Sequence, residues 1–141
     1  MLFKRKAAPK SEPETVDNNE KSYVIPYSKP FWGFKKFPLV ISGNREAEEN
    51  NEKVYGKDFS NSVCKFTCFN YEPQSRMAVL YIDDLRIGAV FDSDQVNAIE
   101  NGSIEKIHFE YNENVFVYLD DSGNKQTLHR LRVLVKYKDE D

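Results

Sequence analysis

The sequence predicts a mostly β protein, a small antiparallel barrel or curled sheet of about six or seven strands with one short helix. Three observations carry this. The run Met77 to Gly102 (MAVLYIDDLRIGAVFDSDQVNAIENG) reads as strand, two-residue turn, strand and capped helix. The last third alternates apolar and polar residues between turn signals, and an aromatic segment before it is broken by prolines. A chain of 141 residues with 40% apolar and 13% aromatic side chains has enough apolar surface for one core.

Residues 1–22 are expected to be a disordered tail. Between Lys4 and Ser22 stand charged residues, Pro, Asn and Ala without one aromatic, too little apolar surface to offset the ordering entropy. Residues 23–38 read as an extended arm with short β pieces, because Pro26, Pro30 and Pro38 each end regular pairing. Its rings either pack on the domain, or an exposed Trp32, with Phe31 and Phe34 and flanked by Lys29, Lys35 and Lys36, serves to stack on bases or enter a partner's groove.

Residues 39–138 form the β-rich domain. Leu39-Val40-Ile41 is a short strand candidate, and Gly43 to Asn51 (GNREAEENN) is a loop or a weak exposed helix. Val63 to Tyr71 is rich in β-branched and aromatic residues and closes in a turn at Glu72-Pro73-Gln74-Ser75. Met77 to Ile82 is apolar throughout and short, as a strand buried on both faces is. Asp83-Asp84 turns the chain into Leu85 to Phe91, where Gly88 marks a bulge or a close backbone approach. Asp92 or Ser93 caps a helix over about 93–101 that Gly102 stops, with Val96 and Ile99 on its inner face. Ile104 to Tyr111, Val115 to Leu119 and Thr127 to Tyr137 then read as a three-strand meander with turns at Asn112-Glu113-Asn114 and Asp120 to Asn124. On this pattern His108 faces solvent and His129 is a half-buried, satisfied imidazole.

Charge and composition narrow the function. No apolar run approaches the ~18 residues of a membrane span, and Met1-Leu2-Phe3 followed by Lys4-Arg5-Lys6 lacks a signal peptide's apolar core, so the expected setting is cytoplasmic, without membrane. Cys64 and Cys68 on one strand would lie about 13 Å apart, too far for a disulfide, and read as reduced thiols. Two His and two Cys without short ligand pairs give no metal centre, and neither a nucleophile elbow nor a phosphate loop is present. The sequence therefore assigns no catalytic residue, cofactor or metal. Net charge is −3, yet the segment from Ser122 to Lys138 carries Lys125, Arg130, Arg132, Lys136 and Lys138 and no acid. Such a stripe either guards a sheet edge or meets an acidic ligand.

Asn70-Tyr71-Glu72-Pro73, the hairpin Met77 to Gly88 and the helix from Asp92 to Ile99 resemble the core of the HIRAN domain family. That pattern runs through an Asn-x-Tyr-Asp turn, an Ala-x-Ala-Val strand, a Val-Gly-Tyr strand and a helix; here Glu72 replaces the aspartate, and Ala89 stands where an aromatic follows the glycine. The resemblance implies a small β-barrel, of a kind found in DNA-repair helicases and as stand-alone proteins in bacteria and phages, that binds single-stranded DNA at a free 3′ end. It would place Asn70, Tyr71 and Glu72 at the terminal nucleotide. Tyr71 and Trp32 would stack on bases, and Lys65, Arg76, Arg130, Arg132 and Lys136 would take phosphates. The competing expectation, and the leading one, is a protein-interaction module that recruits its partner through the aromatic arm or a sheet edge.

Overall fold

Short runs of alternating residues build antiparallel sheets in the computed structural model of the chain, which describes residues 20–73, 75–111 and 116–138. The tail up to residue 19, Gln74 of the first turn and the predicted turn at 112–114 lie outside the described residues. One sheet contains β1 (Lys21–Val24), β3 (Cys64–Glu72), β4 (Ser75–Ile82) and β5 (Leu85–Val90) in the order β1-β3-β4-β5. The other contains β2 (Lys35–Phe37), β9 (Leu131–Tyr137) and β6 (Ile104–Tyr111) in the order β2-β9-β6. Among the described residues, strands β7 (Phe116–Leu119) and β8 (Lys125–Leu128) pair with each other alone, and two helices are seen, α1 (Arg45–Lys53) and α2 (Ser93–Glu100). The protein is mostly β, and its two main sheets curl without closing into a barrel.

The stretch from β4 through α2 follows its sequence closely. Ala78, Leu80 and Ile82 face one side of β4, Met77 and Val79 the other, and all five are buried. Asp83 and Asp84 take φ of 51° and 70°, the two left-handed positions of a turn whose twist matches a hairpin. A register shift after Leu80 leaves Ile87 as an extra residue on β5, and a Cβ at the neighbouring Gly88 would lie 2.7 Å from Leu39 Cγ and 3.0 Å from the Val40 carbonyl oxygen. Gly88 is thus both beside a bulge and under a close strap. Asp92 caps α2 by accepting from the Asp94 and Gln95 amides. At the other end Gly102, at φ 77°, and Ser103 donate to the carbonyls of Ile99 and Ala98, a Schellman closure.

Four expectations are corrected. The segment 43–51 is not a loop or a weakly held exposed helix: Arg45–Lys53 is helical, capped by Asn44, and buries Ala47, Asn50 and Asn51. The meander is replaced by a β6–β9 pair, with the β7–β8 hairpin inserted between its strands in sequence. The strand expected over 127–137 breaks at His129 and Arg130, because both are drawn to carboxylates of α1, Glu52 and Glu48. The expected tail ends earlier than residue 22, since Lys21 and Ser22 belong to β1, which pairs with β3; the arm's short β pieces join the sheets, β1 on β3 and β2 on β9.

The main core lies between the two sheets. Phe66, Leu80 and Ile87 from one meet Ile107, Val133 and Val135 from the other, with Val96 and Ile99 of α2 in the same cluster. Asn51 joins the sheets at the seam. Its side-chain amide donates to the Ala47 and Ile87 carbonyls at 2.7 and 2.9 Å, and its oxygen accepts from the Leu131 amide at 2.9 Å. Asn50 adds a bond to the Arg86 carbonyl at 3.0 Å.

Candidate binding surface

The arm reaches the outer face of the second sheet by forming part of it. Ser28 donates its amide to the Ile107 carbonyl and Ile107 donates to the Pro26 carbonyl, at 2.9 and 3.0 Å, so the arm occupies the outer edge of β6 at that point. This overturns the solvent-facing reading of His108. The arm lies over it, leaving it 8% exposed, with Nδ1 donating to the Ser28 carbonyl at 3.0 Å and with the Tyr27 and Phe34 rings 5.5 and 6.2 Å away. Phe31 meets Phe34 edge-on at 5.0 Å. Gly33, at φ 98°, rests over the Lys136 side chain, whose Cε would be 3.6 Å from a Cβ there. Between these supports the backbone turns outward at Trp32, which is 87% exposed. Phe31 is exposed as well, and Lys29, Lys35 and Lys36 flank the pair in sequence.

The basic residues expected to take phosphates are brought to carboxylates instead. Arg76 grips Glu100 of α2 through Nε and Nη2 and donates from Nη1 to Asn70 Oδ1 at 2.7 Å. Lys65 Nζ lies 3.7 Å from Asp84 and 5.5 Å from the centre of the Tyr81 ring. Arg130 bonds Ser42 at 2.8 Å and Glu48 at 3.4 Å, while Arg132 and Lys136 each stand 3.8 Å from a β6 carboxylate, of Glu110 and Glu105 respectively. Neighbouring strands supply the opposite sign along β9, which a single strand's sequence does not display. Lys35 and Lys36 differ: among the described residues neither forms an ion pair. Lys29 lies toward Asp58, whose carboxyl is held below its usual range chiefly by hydrogen bonds from Ser60 and to a lesser degree by Lys29.

The turn residues of the family resemblance gather at another place. Tyr71 is 44% exposed and meets Phe91 edge-on at 5.6 Å, itself 44% exposed, beside the Asn70–Arg76–Glu100 network. Glu72 is exposed at the end of β3 and its backbone pairs with Ser75. The nine expected residues thus divide among the arm, the Tyr71 corner, the hairpin end at Lys65, the α1 seam at Arg130 and the β9 face at Arg132 and Lys136. Of these, Lys136 touches the Trp32 loop through Gly33. Sequence reading missed Phe91 and His108; a strand-end phenylalanine and a histidine alternating with Lys106 and Glu110 carry no local signal.

Elsewhere, three further titratable side chains are buried or paired. Cys64 and Cys68 are unlinked and buried, and burial pushes both thiols up to about 12. His129 Nδ1 sits 3.1 Å from Glu52 with Tyr55 stacked on the ring at 3.8 Å, the satisfied imidazole its position suggests. No group of three or more His, Cys, Asp or Glu able to hold a metal occurs among the described residues, and no described helix is long and apolar enough to cross a membrane. Comparison with protein-family models, curated proteins and solved structures finds no match.

Proposed function

We propose that this chain is a non-catalytic binding module that recruits a protein partner through its aromatic arm. One observation carries the reading: Trp32 is 87% exposed on a loop that is otherwise tied down, by Ser28 on His108, by Phe34 on His108 and by Gly33 on Lys136. A large ring held out by a braced backbone loses little conformational entropy on burial in a partner, the property of an interface anchor. A cytoplasmic setting fits the two unlinked cysteines. The test is retention of a partner from the host extract on immobilised protein. Wild type is expected to retain a specific polypeptide that Trp32→Ala loses while its thermal unfolding stays unchanged; equal retention by the variant removes the arm from the mechanism.

A second reading, single-stranded DNA bound at a 3′ end as the HIRAN resemblance implies, is favoured by the exposed Tyr71–Phe91 pair beside Asn70 and Glu72. Against it, Lys65, Arg76, Arg130, Arg132 and Lys136 already face carboxylates. Titration of labelled oligonucleotides with and without a 3′ phosphate, at two salt concentrations, decides. Binding lost with the phosphate and with Tyr71→Ala establishes end recognition, and no binding at low salt eliminates it.

A further inference from the structure

The strap that begins at Val40 exchanges two backbone bonds with Ala89 on the outer edge of β5 and runs on through Ser42 and Gly43 to Asn44, the cap of α1. Between strap, helix and strand lies a cavity of about 180 Å³, with Arg86 and Phe91 among its walls. Arg86 alone of the described lining residues is ionisable. Its Nε is buried without a hydrogen-bond partner, and its guanidinium forms no ion pair among the described residues. A buried N–H on a charged group, with no acceptor supplied by the protein, calls for one from a ligand. Two more donors line the cavity. Ser42 Oγ accepts from Arg130 Nη1 at 2.8 Å, which leaves its own hydrogen to donate, and Asn44 commits Oδ1 to the Ala47 amide at 2.8 Å, which leaves the Nδ2 hydrogens. No carboxylate belongs to the described lining: of the two acids in the first turn of α1, Glu48 is held by Arg130 and Glu46 is exposed outside it. Gly43, at φ 89°, leaves open space where a Cβ would stand.

Size and surroundings narrow the ligand. Sites that enclose a whole drug-sized molecule measure about 300–1,000 Å³, so this cavity takes a charged end group and leaves the remainder outside. There Val40 and Phe91, which line the cavity while staying 50% and 44% exposed, offer apolar surface. Independently of the arm, we infer that the cavity binds a phosphomonoester carried on an aromatic or other apolar body. Three donors from separate parts of the chain, β5, the strap and the cap of α1, suit the three terminal oxygens of a phosphate, whereas a carboxylate presents two in one plane. Arg86 Nε supplies the charge-assisted bond, Ser42 and Asn44 donate to the other oxygens, and the apolar body lies on Phe91.

Phenyl phosphate is the probe, titrated into isotope-labelled protein in a buffer free of phosphate and sulfate, with inorganic phosphate, benzoate and sodium chloride compared at equal ionic strength. The Arg86 Nε–H resonance, assigned through its own side chain, is expected to shift and to saturate. Phenyl phosphate is expected to bind about tenfold tighter than benzoate, the worth of one charge-assisted hydrogen bond. Arg86→Lys keeps the charge, removes the Nε donor and is expected to weaken binding by about the same factor. Phe91→Ala, at a half-exposed position, is expected to bring phenyl phosphate down to the affinity of inorganic phosphate. Because the resonance is read in the wild type, the site is tested even if Arg86→Lys fails to fold. A shift that does not saturate, or that sodium chloride reproduces, overturns the site, as does a folded Arg86→Lys that binds equally well. Benzoate bound as tightly as phenyl phosphate overturns the phosphate assignment, and unchanged affinity in Phe91→Ala overturns the place of the apolar body.

Discussion

Ala78, Leu80 and Ile82 of β4 are held in the interior by apolar area, whereas at the seam where α1 meets both sheets the buried contacts run from amide to carbonyl, through Asn50 and Asn51. Apolar burial is non-directional and tolerates a change of shape at constant volume. A buried amide that satisfies three backbone groups at once tolerates almost none, because its loss strands those groups away from water. The difference predicts where single substitutions do most harm. It also explains how a helix as polar as REAEENNEK is fixed to the protein: its side chains take the place of a strand partner along the β5 edge.

The largest expected effect is therefore at Asn51. Asn51→Leu keeps the branched outline and the number of heavy atoms but leaves the Leu131 amide and the Ile87 carbonyl without partners, at about 1–3 kcal/mol each, a total of roughly 2–6 kcal/mol. Leu80→Met, an equally conservative exchange in the apolar region, is expected to cost less than about 1.5 kcal/mol. Urea unfolding of the pair measures the contrast. An Asn51→Leu cost under about 1 kcal/mol would show the seam to be held by shape, as the core is.

Gly88→Ala probes the boundary between the regions and ranks second. The added methyl would meet Leu39 Cγ at 2.7 Å and the Val40 carbonyl oxygen at 3.0 Å, so the strap must move or β5 must shift. Overpacking of this kind costs about 1–3 kcal/mol. Hydrogen exchange locates the strain: the Ala89 amide, bonded to the Val40 carbonyl at 2.9 Å, is expected to lose protection before amides of β3 do. Uniform loss across the sheet would instead mean that the strap and the core open together.

What the sequence made legible follows the same division. The run from Met77 to Gly102 could be read because each residue's local preference agrees with its place: apolar strand, aspartates at positive φ, cap and glycine stop. The partners of α1 could not, because the signal for burying Asn51 lies on β5 and β9, distant in sequence. For the same reason the basic stripe read as either an edge guard or charge for an acidic ligand, when Glu105 and Glu110 on β6 and Glu48 on α1 are its neighbours in space. Trp32 was singled out on local grounds, aromatic residues between prolines among lysines, and it does stand exposed. Its bracing by His108 is a long-range contact that no local pattern announces.

The smallest effect concerns the turn that ends the apolar region, where one carboxylate does for the β4–β5 hairpin what Asn51 does for the seam. Asp83 exchanges two bonds with Val63, its amide donating to the Val63 carbonyl and its Oδ1 accepting from the Val63 amide, both at 2.9 Å. The bond from Val63 is the main reason its carboxyl titrates below the usual 3.8, with Ser62 and Lys57 assisting and burial opposing. A carboxyl depressed in the folded protein contributes stability that is fully present above its unfolded value and disappears as pH falls through the folded one. Asp83→Asn preserves the acceptor and tolerates the turn's φ of 51°, so it removes the charge alone. Because the side chain is 39% exposed, solvent screening limits the loss to about 0.5 kcal/mol at pH 7. Urea midpoints of the two proteins should differ at pH 7 and converge as the pH falls below the usual carboxylate range. A gap that widened in acid would mean that the hairpin relies on Asp83 for its hydrogen bonds and not for its charge, and the turn would then belong with the neutral amides of the seam.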